Sequence, residues 1–345
     1  MKKIFLTLAA IALLLLSSCN AGKDTRHLPK AEDFGRMDEA VTAYLQDIRH
    51  FTGSTTVELN SVMVLQHGKK LLEWYDNCYG PDFRNICWSA SKTFTSAAVG
   101  FAVQEGLLSL DDCLVDYLKK EQLPDQVSDT LAGLTLRNLI IMSSGLSKDA
   151  IADLGSYCPD CTIKSILSRG FAFEPGSRYR YNSFNTYLLS AVITNITGQR
   201  LSEYLKPRLF EPLGIRNYYW DLSLEGYDMG GWGLYLTTEG LAKMGQLYLQ
   251  KGLWDGKQLL ASQWIEESMT AHIFQSGTKV PGDDHASGYG YQMWVNAVGG
   301  GARLDGAHGQ WVIICPDKDA VIVITQNTNA RKSISFVWKE FYDRI

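Results

Sequence analysis

The sequence is poor in what a metal centre needs. Its six histidines, His27, His50, His67, His272, His285 and His308, are scattered, with no H-E-x-x-H and no close group, which disfavours a metallohydrolase. A basic stripe is missing as well. The 33 Lys and Arg stand against 37 Asp and Glu for a net charge of −4, which argues against nucleic acid as a partner. Residues 4–16 form an apolar run, but one too short to cross a bilayer comfortably. Internal repeats are lacking, and Gly299-Gly300-Gly301 is the one low-complexity stretch. What remains is ordinary globular material: 46% hydrophobic against 20% charged residues can build a large core. A length of 345 residues fits two domains or a single α/β unit with an insertion.

The start of the chain carries an address. Lys2 and Lys3, the apolar residues 4–16 and the small residues after them read as an export signal. The segment closes as Leu16-Ser17-Ser18-Cys19, which resembles the lipobox of bacterial lipoproteins. That resemblance implies loss of residues 1–18, lipidation of Cys19 and a place on the bacterial cell envelope, facing the periplasm or the exterior. An ordinary cleaved signal with an incidental cysteine is the alternative. Residues 19–30 are polar, include Gly22 and Pro29, and read as a tether. Export permits disulfides, and Cys158 with Cys161 or Cys78 with Cys87 are the pairs near in sequence. A lone Cys158-Pro-Asp-Cys161 without a second Cys or His pair makes a poor zinc site.

Residues 31–50 set Phe34, Met37, Val41, Tyr44, Leu45 and Ile48 at near-helical spacing and predict an amphipathic helix. Residues 61–66 and 70–75 read as strands joined through His67-Gly68-Lys69. An apolar helical stretch over 88–105 is stopped by Gly106. From about 107 to 227 the signals are mostly helix and loop, with helices expected over 134–142, 186–197 and 201–209. Strand patterns return at 290–295, 311–315 and 320–326, and 333–342 reads as a closing helix. β-rich ends around a helical middle predict an α+β fold. One antiparallel sheet is built from both chain ends and flanked by helices, and residues 107–227 form a mostly helical insertion in a single unit over 31–345.

Within this plan, Trp88-Ser89-Ala90-Ser91-Lys92 carries the chemistry. Residues three apart share one face of a helix, so Ser89 and Lys92 can touch. The spacing alone is weak, because Ser276-Gly277-Thr278-Lys279 repeats it in a polar stretch. Ser89 instead opens a segment whose Phe94, Ala97, Ala98, Phe101 and Ala102 form an apolar stripe, which leaves Lys92 hard to explain as a solvated residue. Burial disfavours the charged amine, so a buried Lys92 can accept the Ser89 proton. The amide of Ser89, free of an intrahelical partner at a helix start, can face a developing oxyanion. Read blandly, Ser89 is a helix cap and Lys92 a surface residue.

The surrounding blocks resemble those of the serine β-lactamase and penicillin-binding-protein-like hydrolases, a family that also holds esterases and short-amide hydrolases. After Ser89-Ala-Ser-Lys92 come Gly106-Leu-Leu-Ser-Leu-Asp-Asp and residues 134–146, which end Met-Ser-Ser-Gly-Leu. Glu174-Pro-Gly-Ser-Arg-Tyr-Arg-Tyr-Asn-Ser183, Gly230-Gly-Trp-Gly-Leu-Tyr-Leu-Thr237 and Lys251-Gly-Leu-Trp-Asp-Gly256 follow, so the resemblance spans about residues 60–326. It implies that Tyr181 shares proton transfer with Lys92. A phenol needs nearby positive charge for that work, and Lys92, Arg178 or Arg180 can supply it. Many members carry Asn where this chain has Ser183, so an amide's donor pair is lost there. The family's Lys-Thr-Gly is absent; Ala307-His308-Gly309-Gln310 is the best match, with His308 and Gly309 beside the substrate and the Gln310 amide as second oxyanion donor. Without the lysine, recognition of a carboxylate such as that of penicillins loses a charge-assisted contact.

The expectation is a lipid-anchored serine hydrolase that forms an acyl-enzyme on a small-molecule or peptide ester or amide, with no cofactor and no metal. The rivals are a β-lactamase or D-Ala-D-Ala peptidase with the same machinery, and a non-catalytic penicillin-binding sensor.

Overall fold

The computed structural model describes residues 27–54, 57–147, 162–280, 282–328 and 333–345. The leader, Cys19, the Cys158 and Cys161 pair and most of the 146–161 loop lie outside them. Helix α1 (Asp38–Thr52) precedes strands β1 (Glu58–Gln66), β2 (Lys69–Tyr75) and β3 (Asn85–Ile86). A 3-10 turn over Trp88–Ala90 leads into α2 (Ser91–Gln104), and the helical middle follows with α3 (Asp129–Ala132), α4 (Leu136–Ile140), α5 (Ile163–Leu167), α6 (Ser183–Thr197) and α7 (Leu201–Leu205). Strands β4 (Tyr218–Trp220) and β5 (Leu234–Leu236) come next, then α8 (Thr238–Leu249), β6 (Leu253–Trp254), β7 (Lys257–Gln258) and α9 (Ser262–Met269). The chain closes with β8 (Trp294–Val295), β9 (Ala302–Gly306), β10 (Gln310–Cys315), β11 (Ala320–Asn327) and α10 (Ile334–Glu340).

The main sheet runs β2-β1-β11-β10-β9-β8, antiparallel throughout, so both chain ends do build one sheet. Its central strands read as unbroken apolar runs because both faces are covered. Met63, Leu65, Val312, Ile314, Val321 and Val323 enter the larger core under α8 and α2, and Val62, Val64, Ile313, Ile322 and Ile324 enter a second core under α1 and α10. Helix α8 approaches closely because it carries Gly245: a Cβ there would lie 2.6 Å from Val321 Cγ1. The β1–β2 hairpin closes through His67 at φ 50° and Gly68 at φ 70°, the positive-φ pair that a right-twisted two-residue turn requires.

Several expectations shift. The helix foreseen over 31–50 starts only at Asp38, because the preceding residues follow the sheet edge: Ala31 N–H donates to the Lys70 carbonyl and Gly35 N–H to that of Leu71. The 27–30 end of the expected tether is docked too, with Leu28 buried in the larger core and its amide held by Glu239 Oε1 at 2.6 Å. The stretch foreseen as one helix over 88–105 is a 3-10 turn followed by α2, buried on every side from Ser91 to Ala102 rather than along one stripe. Strand β9 and helices α8 and α9 were not foreseen, and the strand foreseen over 290–295 shrinks to Trp294–Val295. Cys78 and Cys87 are free thiols, Cys78 exposed and Cys87 buried, so they do not pair.

Candidate active site

The 3-10 turn that carries Ser89 packs against the β9–β10 hairpin. Two features bring them together. Trp88 takes φ 46°, a strained left-handed bend for a non-glycine residue, and Gly306 is pressed so near that a Cβ on it would lie 2.3 Å from the Cys87 carbonyl oxygen. Ser91 Oγ donates to the Trp88 carbonyl at 2.6 Å and accepts the Leu234 N–H at 3.2 Å, which ties the bend to β5. Ser89 is half-buried and Lys92, one turn on in α2, is 1% exposed. Lys92 Nζ donates to Ser89 Oγ at 3.0 Å and to the Gly231 carbonyl at 2.7 Å, and lies 4.9 Å from the centre of the Tyr181 ring.

The two competing readings are thereby separated. Ser276 and Lys279 are exposed, and the Ser276 hydroxyl turns to the Thr278 carbonyl. Of the three cations considered for Tyr181, Lys92 is the one over its ring; Arg180 is exposed and Arg178 lies over Phe173. Ser89 does not cap α2, whose N-cap is Ala90. Burial pushes the Cys87 thiol up, so the sulfur two residues before Ser89 stays protonated and is a poor nucleophile.

Tyr181 immediately precedes Asn182, the N-cap of α6, whose side chain accepts the Phe184 N–H at 2.9 Å. Ser183 is the fully buried first residue of α6, and its carbonyl lies against Gly231: a Cβ on Gly231 would stand 2.7 Å away. The glycine therefore lets its own carbonyl reach Lys92 in the gap between α6 and α2. The Tyr181 ring packs 5.9 Å from Trp294 and 6.3 Å from Tyr289. Tyr289, fully enclosed, has its phenol pushed far up by burial and then by Tyr181, Tyr179 and Asp305, so it stays neutral.

His308 and Gly309 lie in the β9–β10 turn, and Gln310 opens β10. His308 sits at φ 64° with its ring 5.3 Å from that of Trp88, so it stands beside the Ser89 turn. Gly309, at φ 86°, lies where a Cβ would be 2.1 Å from Gln326 Nε2. The Gln310 side chain turns into the sheet, where its Nε2 donates to the Gln326 carbonyl, and its backbone is in register with Gly306. Sequence reasoning missed three contributors: the Gly231 carbonyl, the Trp294 wall and Gln292, described below. A Gly-Gly pair signals close approach, but nothing in the sequence says that a carbonyl will meet a lysine.

With this geometry the chain's relationships can be stated. The family model described as beta-lactamase matches residues 45–338, and the chain belongs to the beta-lactamase family of serine hydrolases. The 6-aminohexanoate-dimer hydrolase of Paenarthrobacter ureafaciens is 23% identical over 322 residues, covering 85% of this chain and 78% of the relative. Among solved structures, EstCE1, a hydrolase with promiscuous acyltransferase activity, superposes with a TM-score of 0.69 at 17% identity, over 88% of this chain and 99% of its own. The penicillin-binding protein homologue from Pyrococcus abyssi does so with a TM-score of 0.65 at 20% identity, over 90% and 77%. These two likenesses describe the fold.

Proposed function

We propose that the protein hydrolyses a small ester or amide through an acyl-enzyme on Ser89. The observation that carries this reading is Lys92, 1% exposed, 3.0 Å from Ser89 Oγ and 4.9 Å from the Tyr181 ring. A desolvated amine favours its neutral form, takes the Ser89 proton as the hydroxyl oxygen attacks the carbonyl carbon, and returns it with Tyr181 to the leaving alcohol or amine. Water, deprotonated by the same pair, then frees the acid and restores Ser89.

The Ser89 amide is one oxyanion donor. The Gln310 amide, at the start of the strand that packs on the Ser89 turn, is the second. His308 and Gly309 line the leaving-group side, and Ser183 supports the floor.

The substrate is a small-molecule or peptide ester or amide whose binding does not rest on a lysine-held carboxylate, because no lysine stands where the family's Lys-Thr-Gly would supply that contact. The name of the Paenarthrobacter relative supports an amide as the bond cleaved. A lipid anchor on Cys19 would hold the enzyme on the cell envelope; radiolabelled palmitate incorporated by the parent and not by Cys19→Ala checks it. The function is tested by exposing the parent and Ser89→Ala to a fluorophosphonate and a chromogenic short-chain ester. Labelling and turnover by the parent alone support the reading. Equal labelling of both moves the nucleophile elsewhere, and rapid penicillin hydrolysis replaces the esterase reading with a β-lactamase.

A further inference from the structure

We infer that Gln292 is a positioning residue that fixes the spacing between Lys92 and Tyr181; the role rests on the hydrolase reading above. Gln292 is 3% exposed and takes φ 62°, a left-handed backbone that a β-carbon disfavours. Such strain persists where surrounding bonds impose it, and here they come from three helices. Its carbonyl accepts the Thr93 hydroxyl at 3.0 Å, from the residue after Lys92 on α2. Its Oε1 accepts the Thr186 hydroxyl at 2.6 Å, in the first turn of α6, whose cap adjoins Tyr181. Its Nε2 donates to the Ile140 carbonyl at 2.7 Å and the Leu139 carbonyl at 3.3 Å, at the end of α4 where helix carbonyls lack intrahelical partners.

The α4 arm also reaches the tyrosine. Met142, just past α4, accepts the Arg180 N–H at 2.8 Å through its carbonyl, and its sulfur accepts the Asn182 N–H at 3.3 Å, so the Tyr181 segment is held on both sides. Two residues beyond Gln292, Trp294 packs on the Tyr181 ring. One side chain and one peptide group thus join the helix bearing the amine, the helix capped beside the phenol, the short helix cradling the phenol's backbone and the strand that walls its ring. None of these bonds touches substrate. They set where the two proton carriers stand relative to each other, and a displacement of about 1 Å between reacting groups costs on the order of 100-fold in rate.

The test uses the full chain and four measurements on each variant: fluorophosphonate labelling rate, ester kcat and KM per labelled site, the pH profile of kcat, and melting temperature. Gln292→Met keeps the volume and removes the side-chain bonds. Thr186→Val removes one arm and Thr186→Ser restores its hydroxyl, so this pair decides the matter should Gln292→Met not fold. The expected result is kcat per site lowered about 100-fold in Gln292→Met and about 10-fold in Thr186→Val, with KM little changed, a displaced pH profile, and recovery in Thr186→Ser. Lowered melting temperatures with kcat per site and pH profile as in the parent overturn the role while leaving the hydrolase reading intact. Absence of Ser89-dependent labelling in the parent overturns the hydrolase reading and this role together.

Discussion

The two faces of the six-stranded sheet are covered differently. On one, α1, α10 and the residue after it bury apolar side chains such as Tyr44, Ile48, Val337 and Phe341 against the strands. On the other, α8 and α2, with α6 packed on α2, bury polar groups in number: Lys92, Thr93, Thr95 and Ser96 in α2, then Asn185, Thr186 and Ser190 in α6, all nearly inaccessible. Several of these meet backbone carbonyls displaced from regular structure, as Thr95 meets Gly230 at 2.9 Å and Lys92 meets Gly231. Burying polar groups costs free energy unless each finds a partner. The first face is therefore a cover, and the second is a machine whose parts hold one another in place.

The sharpest break in this comparison should come from the second face. Ser89→Ala is expected to lower ester turnover at least about 1000-fold with little change in melting temperature, read by steady-state kinetics and calorimetry. On the first face, Ile48→Ala removes a fully buried side chain and should cost about 2–5 kcal/mol in urea denaturation, while kcat per fluorophosphonate-labelled site stays at the parent value. A kcat that falls with it would mean that the cover reaches the site.

Gly306→Ala lies between these cases, since its Cβ would meet the Cys87 carbonyl and Gln310 Cβ, at 2.3 and 2.8 Å. About 1–3 kcal/mol of stability should go, and kcat per labelled site should fall with it because the Ser89 turn must move. The smallest effect should be a gain. Asp228, 1% exposed, caps α7 by accepting the Ser202 N–H at 2.6 Å through Oδ2, while Oδ1 has no hydrogen-bond donor among the described residues. Burial raises its pKa above the unfolded value, so the folded chain holds the proton to higher pH and stability falls as pH rises through that window. Asp228→Asn keeps an acceptor for Ser202 and should add about 1 kcal/mol at pH 7, a gain that vanishes below about pH 4.

How much of this was legible follows the same division. The first face is readable: α1 shows by its helical period, because one side of it meets water, and β1, β2, β10 and β11 show as apolar runs. Helix α8 was missed because Gly240 and Gly245 weaken its signal and its buried Glu239, Lys243 and Gln246 look like surface. Strand β9 was missed because Arg303 and Asp305 read as loop; Arg303, fully buried, donates from Nε to Asp305 at 2.9 Å and from Nη2 to the Asp284 carbonyl at 3.0 Å. Ser89, Lys92 and Tyr181 were readable because their motifs are local. The Gly231 carbonyl and Gln292 were not, because each acts through a contact made across more than a hundred residues.

The docked segment before α1 has a consequence for the free rim of the sheet. An outermost strand offers a row of unsatisfied amides and carbonyls on which another chain can template itself. On β2 that row is occupied from within: Lys70 N–H donates to the Pro29 carbonyl at 2.7 Å, and Ala31 and Gly35 return donors to Lys70 and Leu71. The opposite rim, β8, is only two residues long. A protease nick after Lys30 would strip Leu28 and Pro29 from this seam, and the clipped molecules would be prone to stack rim to rim into insoluble aggregates.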